Sequence, residues 1–320
     1  MTSSHDDAIR PEDFADAAAA AIADAQSRDF SQAARVVADA GLTGVCAPER
    51  DGGLGLGLAY AVPIAHEAGK LRFRHPLVEQ ILAAHALAGT PFCAQVVSGE
   101  KTVSIAWQGS LDSGRASHAA YTNHADWILV AHGEGLALVE RSSVTLHAND
   151  MLDPDAPQFA MNLQDARVLT RLDADVYRAL RNNAYILTAA FLNGAAQGAM
   201  EFTATYLATR VQFGRPLSAK QAVRHTLARM KLLNEVSIAA VRRVLSTNEF
   251  AEPRCAHTAW TGAVHNATLI IERAIHLNGG MGFTWEVPLH WSLRDARKID
   301  AAFKASTSLQ TVGQAFIAAA

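Results

Sequence analysis

The chain has 320 residues, half of them apolar and only 18% charged, with 28 Lys and Arg against 31 Asp and Glu. That composition excludes disorder of the whole chain, and a net charge of −3 without long blocks of one sign leaves no electrostatic footprint for nucleic acid or an anionic membrane. At roughly 100–200 residues per domain, the length allows two or three structural units.

In chain order, the opening MTSSHDDAIRPEDF is polar and acidic where a secretory signal needs a basic start and an apolar run, so a cytoplasmic location is expected. From Pro11 to Gly41 the chain is Ala-rich with scattered acids and predicts helix, with Gly41 as C-cap. A Gly-rich turn, Gly52 to Gly57, precedes further helices at Leu58–Gly69 and Pro76–Ala88.

The texture changes near residue 101. Thr102 to Trp107 alternates, and Trp127–Ala131 is joined to Leu136–Val139 through His132-Gly133-Glu134-Gly135, a hairpin with a four-residue loop. Ser143–His147 and Phe159–Leu163 predict two more strands, with Pro154 and Pro157 between them. Helical periodicity returns at Asp173 and holds over about 174–211, 218–248, 253–278 and 288–318, which pack most simply as an antiparallel bundle. Three units are therefore expected: a helical domain (1–100), a small β domain (101–172) and a four-helix bundle (173–320).

Several familiar chemistries are not encoded. Gly53-Leu54-Gly55-Leu56-Gly57 has the wrong spacing for a dinucleotide fingerprint and no surrounding βα pattern, so it predicts a flexible connection between helices. The 13 histidines include no HExxH pair, and no GxSxG is present. Cys46, Cys93 and Cys255 form no CxxC pair and are expected to be small buried residues. No apolar run reaches the roughly 18 residues of a membrane-spanning helix.

Two segments of the bundle carry more. Arg210-Val211-Gln212-Phe213-Gly214-Arg215-Pro216-Leu217 leads into Gln221-Ala222-Val223, and His276-Leu277-Asn278-Gly279-Gly280-Met281-Gly282-Phe283 leads into Arg294-Asp295-Ala296. Each alone is an interhelical turn. Together they offer a guanidinium, an amide and exposed backbone N–H groups, which are what a pyrophosphate needs.

In that order and spacing the two segments resemble the flavin-dependent acyl-CoA dehydrogenases, and the likeness extends to Gly44–Glu49 and Ala125–Val130. The resemblance implies a mainly α fold with a β middle domain: an N-terminal helical domain, a small β-barrel domain and a C-terminal four-helix bundle. It also implies FAD as cofactor, an acyl-CoA thioester as substrate and an electron-transfer acceptor. In that family a carboxylate removes the α-proton while the β-hydrogen leaves as hydride to FAD. The cofactor-binding roles it implies fall on Arg210, Phe213, Gln221, His276, Gly279, Gly280 and Gly282, which reach across an interface to a neighbour's FAD. At His276 the family usually has Gln.

The departures are as informative. The two positions where the family carries its catalytic Glu fall here on Phe303 or Lys304, and on Ala184, none of which is a carboxylate. The usual Arg beside the latter position is Tyr185, with Arg181 one turn earlier as a substitute, and the middle-domain loop that covers flavin and substrate is replaced by Ala106-Trp107-Gln108-Gly109-Ser110-Leu111. These losses predict a subunit that completes the FAD site of a catalytic sister in a hetero-oligomer. Two alternatives stay open: a homomeric flavoenzyme with a relocated base, for which Glu201 and Glu235 are the candidates, and a structural or binding homologue that has kept the fold without flavin.

Overall fold

The computed structural model describes residues 9–148, 153, 156–246 and 254–318, with only the backbone of Ser306. The helical first part divides into α1 (Asp13–Ala25), α2 (Phe30–Asp39), α3 (Leu58–Lys70), α4 (Leu77–Ala86) and the short α5 (Cys93–Val97). The Ala-rich stretch read as continuously helical is interrupted because Asp29 takes an extended conformation and its carboxylate accepts from the Gln32 N–H at 2.8 Å, starting a new helix. The Gly52–Gly57 turn is folded more tightly than a flexible connection. Leu54, Gly55 and Leu56 donate their backbone N–H groups to the carbonyls of Gly44, Ala47 and Val45, so those groups are not free to cradle a phosphate.

Eight strands follow: β1 (Val103–Ile105), β2 (Gln108–Ser110), β3 (Arg115–Ala120), β4 (Trp127–His132), β5 (Gly135–Glu140), β6 (Thr145–Ala148), β7 (Gln158–Asn162) and β8 (Val168–Leu172). They form two four-stranded sheets, in the orders β1-β4-β5-β8 and β2-β3-β7-β6. The β4–β5 hairpin is tighter than expected. His132 pairs with Gly135, leaving a two-residue turn that starts at Gly133 with φ +55. Of the two prolines placed between β6 and β7, Pro154 lies outside the described residues.

The continuous apolar run of this hairpin has a clear physical cause. Trp127, Leu129, Leu136 and Leu138 join the main core with the helices, while Ile128, Val130, Ala137 and Val139 join a second core against the other sheet. The sheet is buried on both faces, so alternation disappears.

The last part comprises α6 (Ala174–Thr209), the short strands β9 (Val211–Gln212) and β10 (Arg215–Pro216), α7 (Gln221–Val244), α8 (His257–Leu277), α9 (Leu289–Phe303) and α10 (Ala305–Ala318). The helix expected over 288–318 is broken at Lys304, which sits in the left-handed region at φ +59. Among the described residues no helix is long and apolar enough to cross a membrane.

The helical parts meet where α3 crosses α6 with their backbones in contact. A Cβ added at Gly69 would stand 1.9 Å from the Phe191 carbonyl oxygen, and one at Gly194 would stand 1.9 Å from that of His66. Neither position has room for any side chain.

The three cysteines divide differently from expectation. Cys46 and Cys93 are buried, but Cys255 is exposed because it precedes α8 instead of facing its core side. Burial pushes both buried thiols up to about 12, with the Asp51 carboxylate adding to the effect at Cys93. Since the thiolate is the reactive form, iodoacetamide on the native chain should alkylate Cys255 and spare the other two until denaturant is added. Peptide mass mapping reads the outcome.

Candidate functional site

At one end of the bundle the C-terminus of α6, the N-terminus of α7 and the C-terminus of α8 converge. The β9–β10 turn holds Phe213 at φ +51 and Gly214 at φ +76, and this projects the Phe213 ring outward, 91% exposed, with the Lys220 ammonium 5.2 Å from its centre. Arg210 is fixed through its backbone, its carbonyl accepting from Leu217 at 2.9 Å, while its exposed side chain makes no hydrogen bond or ion pair among the described residues. Gln221 opens α7 and is likewise exposed.

The second segment is tied to the first by Asn278, whose amide donates to Thr203 Oγ1 of α6 at 2.9 Å and to the Ala274 carbonyl at 2.8 Å. Gly279, at φ +61, and Gly280 are exposed, with open space where a Cβ would stand. A ligand can therefore approach their backbone closely. Gly282 is different: it is buried, and a Cβ there would meet the Ile275 carbonyl at 2.2 Å, so its place is in the packing of the turn onto α8. His276 lines a groove between α7 and α8 with His225 and Arg229. All seven residues thus lie at this end, with Arg210, Gln221, Gly279 and Gly280 presenting free polar groups.

The interior is built the opposite way. Ala184 is fully buried, Phe303 is 6% exposed, and Lys304 is the exposed residue at the helix break. Phe303 lies 4.5 Å from Trp107, 5.7 Å from Tyr185 and 5.6 Å from Trp260, measured between ring centres, and Tyr185 lies 5.0 Å from Trp260. Such contacts add about 0.5–1.5 kcal/mol each beyond the area they bury. Arg181, the substitute cation, is spent on this cluster: it donates to the Tyr185 hydroxyl at 3.2 Å and lies 5.8 Å from the Phe303 ring. The replaced loop closes over the same place, because the last carbonyls of α9 lack partners within the helix. Gln108 Nε2 donates to the Ala301 carbonyl at 2.7 Å and to that of Ala302 at 3.2 Å.

Beside this plug a cavity of about 100 Å³ remains, lined among others by Trp107, Phe303, Glu79, His75 and Tyr121. Small-molecule sites are usually about 300–1,000 Å³, so the space lies below that range. Burial holds the Glu79 carboxyl above the usual carboxylate range. Burial, aided by the neighbouring His124, pushes His75 down to about 4, so its imidazole is neutral at ordinary pH.

Next to the cavity lies a ring of alternating charges. Asp153, 1% exposed, accepts from Arg74 at 2.6 Å and Lys298 at 2.5 Å, and Asp295 pairs with the same two cations at 3.3 and 2.9 Å. Burial opposes ionisation of Asp153, but Lys298 and Arg74 outweigh it and hold the carboxyl below its usual range. The Arg294-Asp295-Ala296 motif has structural work here: Arg294 lies 4.5 Å from the Trp285 ring, Asp295 joins the charge ring, and Ala296 is fully buried. The sequence reading missed Arg74, Glu79, Asp153 and Lys298. Glu79 alone left a signal, as the one acid in the mainly apolar Leu77–Ala86.

The relocated-base candidates lie elsewhere. Glu201 is exposed and accepts from Gln197 at 2.8 Å, and Glu235 is exposed and paired with Lys231 at 2.5 Å. Among the described residues no group of His, Cys, Asp and Glu is arranged to hold a metal ion.

A helical part, a two-sheet middle and an antiparallel bundle with a cationic, glycine-lined end define a flavoprotein dehydrogenase type of fold. Residues 177–302 match the family described as "Acyl-CoA dehydrogenase, C-terminal domain". The chain is 30% identical over 259 residues to the acyl-CoA dehydrogenase IpdE2 of Mycobacterium tuberculosis, covering 78% of this chain and 75% of that one. Among solved structures, the Tcur3481-Tcur3483 steroid ACAD superposes with a TM-score of 0.84 at 25% identity, covering 97% of this chain and 99% of the other. The ChsE4-ChsE5 complex of Mycobacterium tuberculosis superposes with a TM-score of 0.81 at 20% identity, covering 99% and 98%. The chain belongs to the acyl-CoA dehydrogenase family.

Proposed function

We propose that this chain is the non-catalytic half of a heteromeric acyl-CoA dehydrogenase, and that its bundle end completes the FAD site of a sister subunit that carries the catalytic carboxylate. The observation that carries this reading is the contrast within one molecule: the base positions hold a buried Phe303 beside Lys304 and a buried Ala184, none of them a carboxylate, while Arg210 and the Gly279-Gly280 turn stand open. The paired make-up of the Tcur3481-Tcur3483 steroid ACAD and of the ChsE4-ChsE5 complex supports a sister subunit. The domains would divide at about residues 100 and 172, which puts every residue of the FAD-facing end in the bundle.

In the assembly Arg210 would neutralise the cofactor's pyrophosphate through charge-assisted hydrogen bonds. Gly279 and Gly280 would donate their N–H groups to its oxygens, and Gln221 its amide. Phe213 would cover an apolar face of the same cofactor, and His276 would stand where the family's Gln does. When bound, FAD would supply the hydride acceptor for α,β-desaturation of an acyl-CoA thioester, with an electron-transfer acceptor needed to reoxidise it.

The test is co-expression with an acyl-CoA dehydrogenase subunit that carries the catalytic Glu. Flavin absorbance should be absent from the chain alone and present in the pair, with activity abolished when the sister's Glu is replaced. Arg210→Ala in the pair should weaken FAD retention roughly tenfold or more, since hydrogen bonds to charged groups are worth about 1.5–3 kcal/mol. Unchanged FAD affinity would remove Arg210 from the role. One observation favours a second reading: Glu79, with its raised carboxyl pKa, lines the cavity beside Phe303. Yellow protein, active alone and silenced by Glu79→Gln, selects that relocated-base reading instead.

A further inference from the structure

A second site lies on another side of the molecule. Beside the backbone crossing of α3 and α6, a groove opens that is lined by the short side chains of Ala59 on α3 and Ala190 on α6. α1 and α7 wall it in, leaving a volume of about 520 Å³. That volume lies within the range of about 300–1,000 Å³ usual for small-molecule sites. Its walls are mainly apolar, from Val62, Pro63, Ile238 and Val241, and the charges around it are of both signs, Glu12 and Glu235 against Arg242.

Asn193 of α6 lines this groove and is 2% exposed, and its amide makes no hydrogen bond among the described residues. Several of the other polar groups there are already engaged: Gln197 donates to Glu201 at 2.8 Å, His66 Nδ1 lies 3.2 Å from Glu67, and Glu235 is held by Lys231, while Glu12 and Arg242 are exposed at the rim. A buried amide left unpaired is costly, and pockets that fix a ligand do so with a few such groups inside an apolar wall.

We propose that this groove is a binding site for an uncharged alcohol with a compact apolar body, whose hydroxyl pairs with Asn193. A hydroxyl both donates and accepts, so it satisfies either end of the amide. The mixed charges of the rim select against a strongly charged ligand. The site is independent of the FAD-completing role, since none of its lining residues lies at the cofactor end of the bundle.

Benzyl alcohol and toluene, which share a ring and differ at the hydroxyl, serve as probes in ligand-observed NMR titrations of the full chain. Benzyl alcohol should bind about tenfold more tightly than toluene, because a site built around a hydrogen bond rejects the analogue that lacks it. Asn193→Leu should level the two affinities. Ala15→Leu, which fills the groove from α1 and leaves Asn193 intact, should remove the binding of both, with circular dichroism checking the fold. Equal affinities in the native chain, an alcohol preference that survives Asn193→Leu, or binding that survives Ala15→Leu overturns the proposal.

Discussion

Replacing Gly194 by alanine should destabilise the chain by about 3 kcal/mol or more, at the upper end of what overpacking costs. The added methyl would stand 1.9 Å from the His66 carbonyl oxygen. Both partners are helix backbone, so no rotamer change relieves the clash and α3 must move away from α6. The sign makes the test sharp. In an unconstrained helix interior, Gly→Ala is favourable by about 1 kcal/mol, so a urea midpoint that rises or stays put would show that the crossing is looser than described.

Asp153→Ala should be comparably severe, about 3–5 kcal/mol, the usual cost of removing one partner from a buried ion pair. The change leaves Arg74 and Lys298 sharing the single carboxylate of Asp295. Asp153→Asn keeps the shape but not the charge and should recover only part of the loss. The pH dependence follows from the direction of the shift. Asp153 is held below its usual pKa in the folded chain, so its contribution is complete above the unfolded value of about 3.9 and is lost as pH falls through the lower folded value. Urea titrations at neutral and acidic pH should show the gap between native chain and Asp153→Ala narrowing in acid. A gap independent of pH would mean that the ring acts through packing alone.

Much of the architecture was legible in the chain because it rests on periodicity. The 3.6-residue pattern placed α3, α4 and the bundle helices, and the hairpin signal placed β4 and β5. What escaped depended on local backbone choices. The break at Lys304 carries no proline or glycine, and only the left-handed conformation of that residue ends α9. Strands β2 (Gln-Gly-Ser) and β3 (Arg-Ala-Ser-His-Ala-Ala) carry no large apolar residue, and β8 is only five residues long. The residues proposed to meet the cofactor cluster in two sequence motifs, so they stood out in the sequence. The charge ring was not, since Arg74, Asp153 and Lys298 come from three distant segments and only Asp295 and Lys298 are near in sequence. That Ala184, Phe303 and Lys304 are not carboxylates could be read from the sequence, but the aromatic plug around Phe303 could not. Trp107, Tyr185, Trp260 and Phe303 meet only once the β part is laid against the bundle.

The hairpin of β4 and β5 has a consequence for how the molecule melts. Its two faces serve two different cores, so neither sheet can peel from the helices without stripping strands that the other core also uses. No hydrophobic seam separates the middle of the chain from its ends. A substitution that loosens either core is therefore expected to be felt in the other through the strands they share.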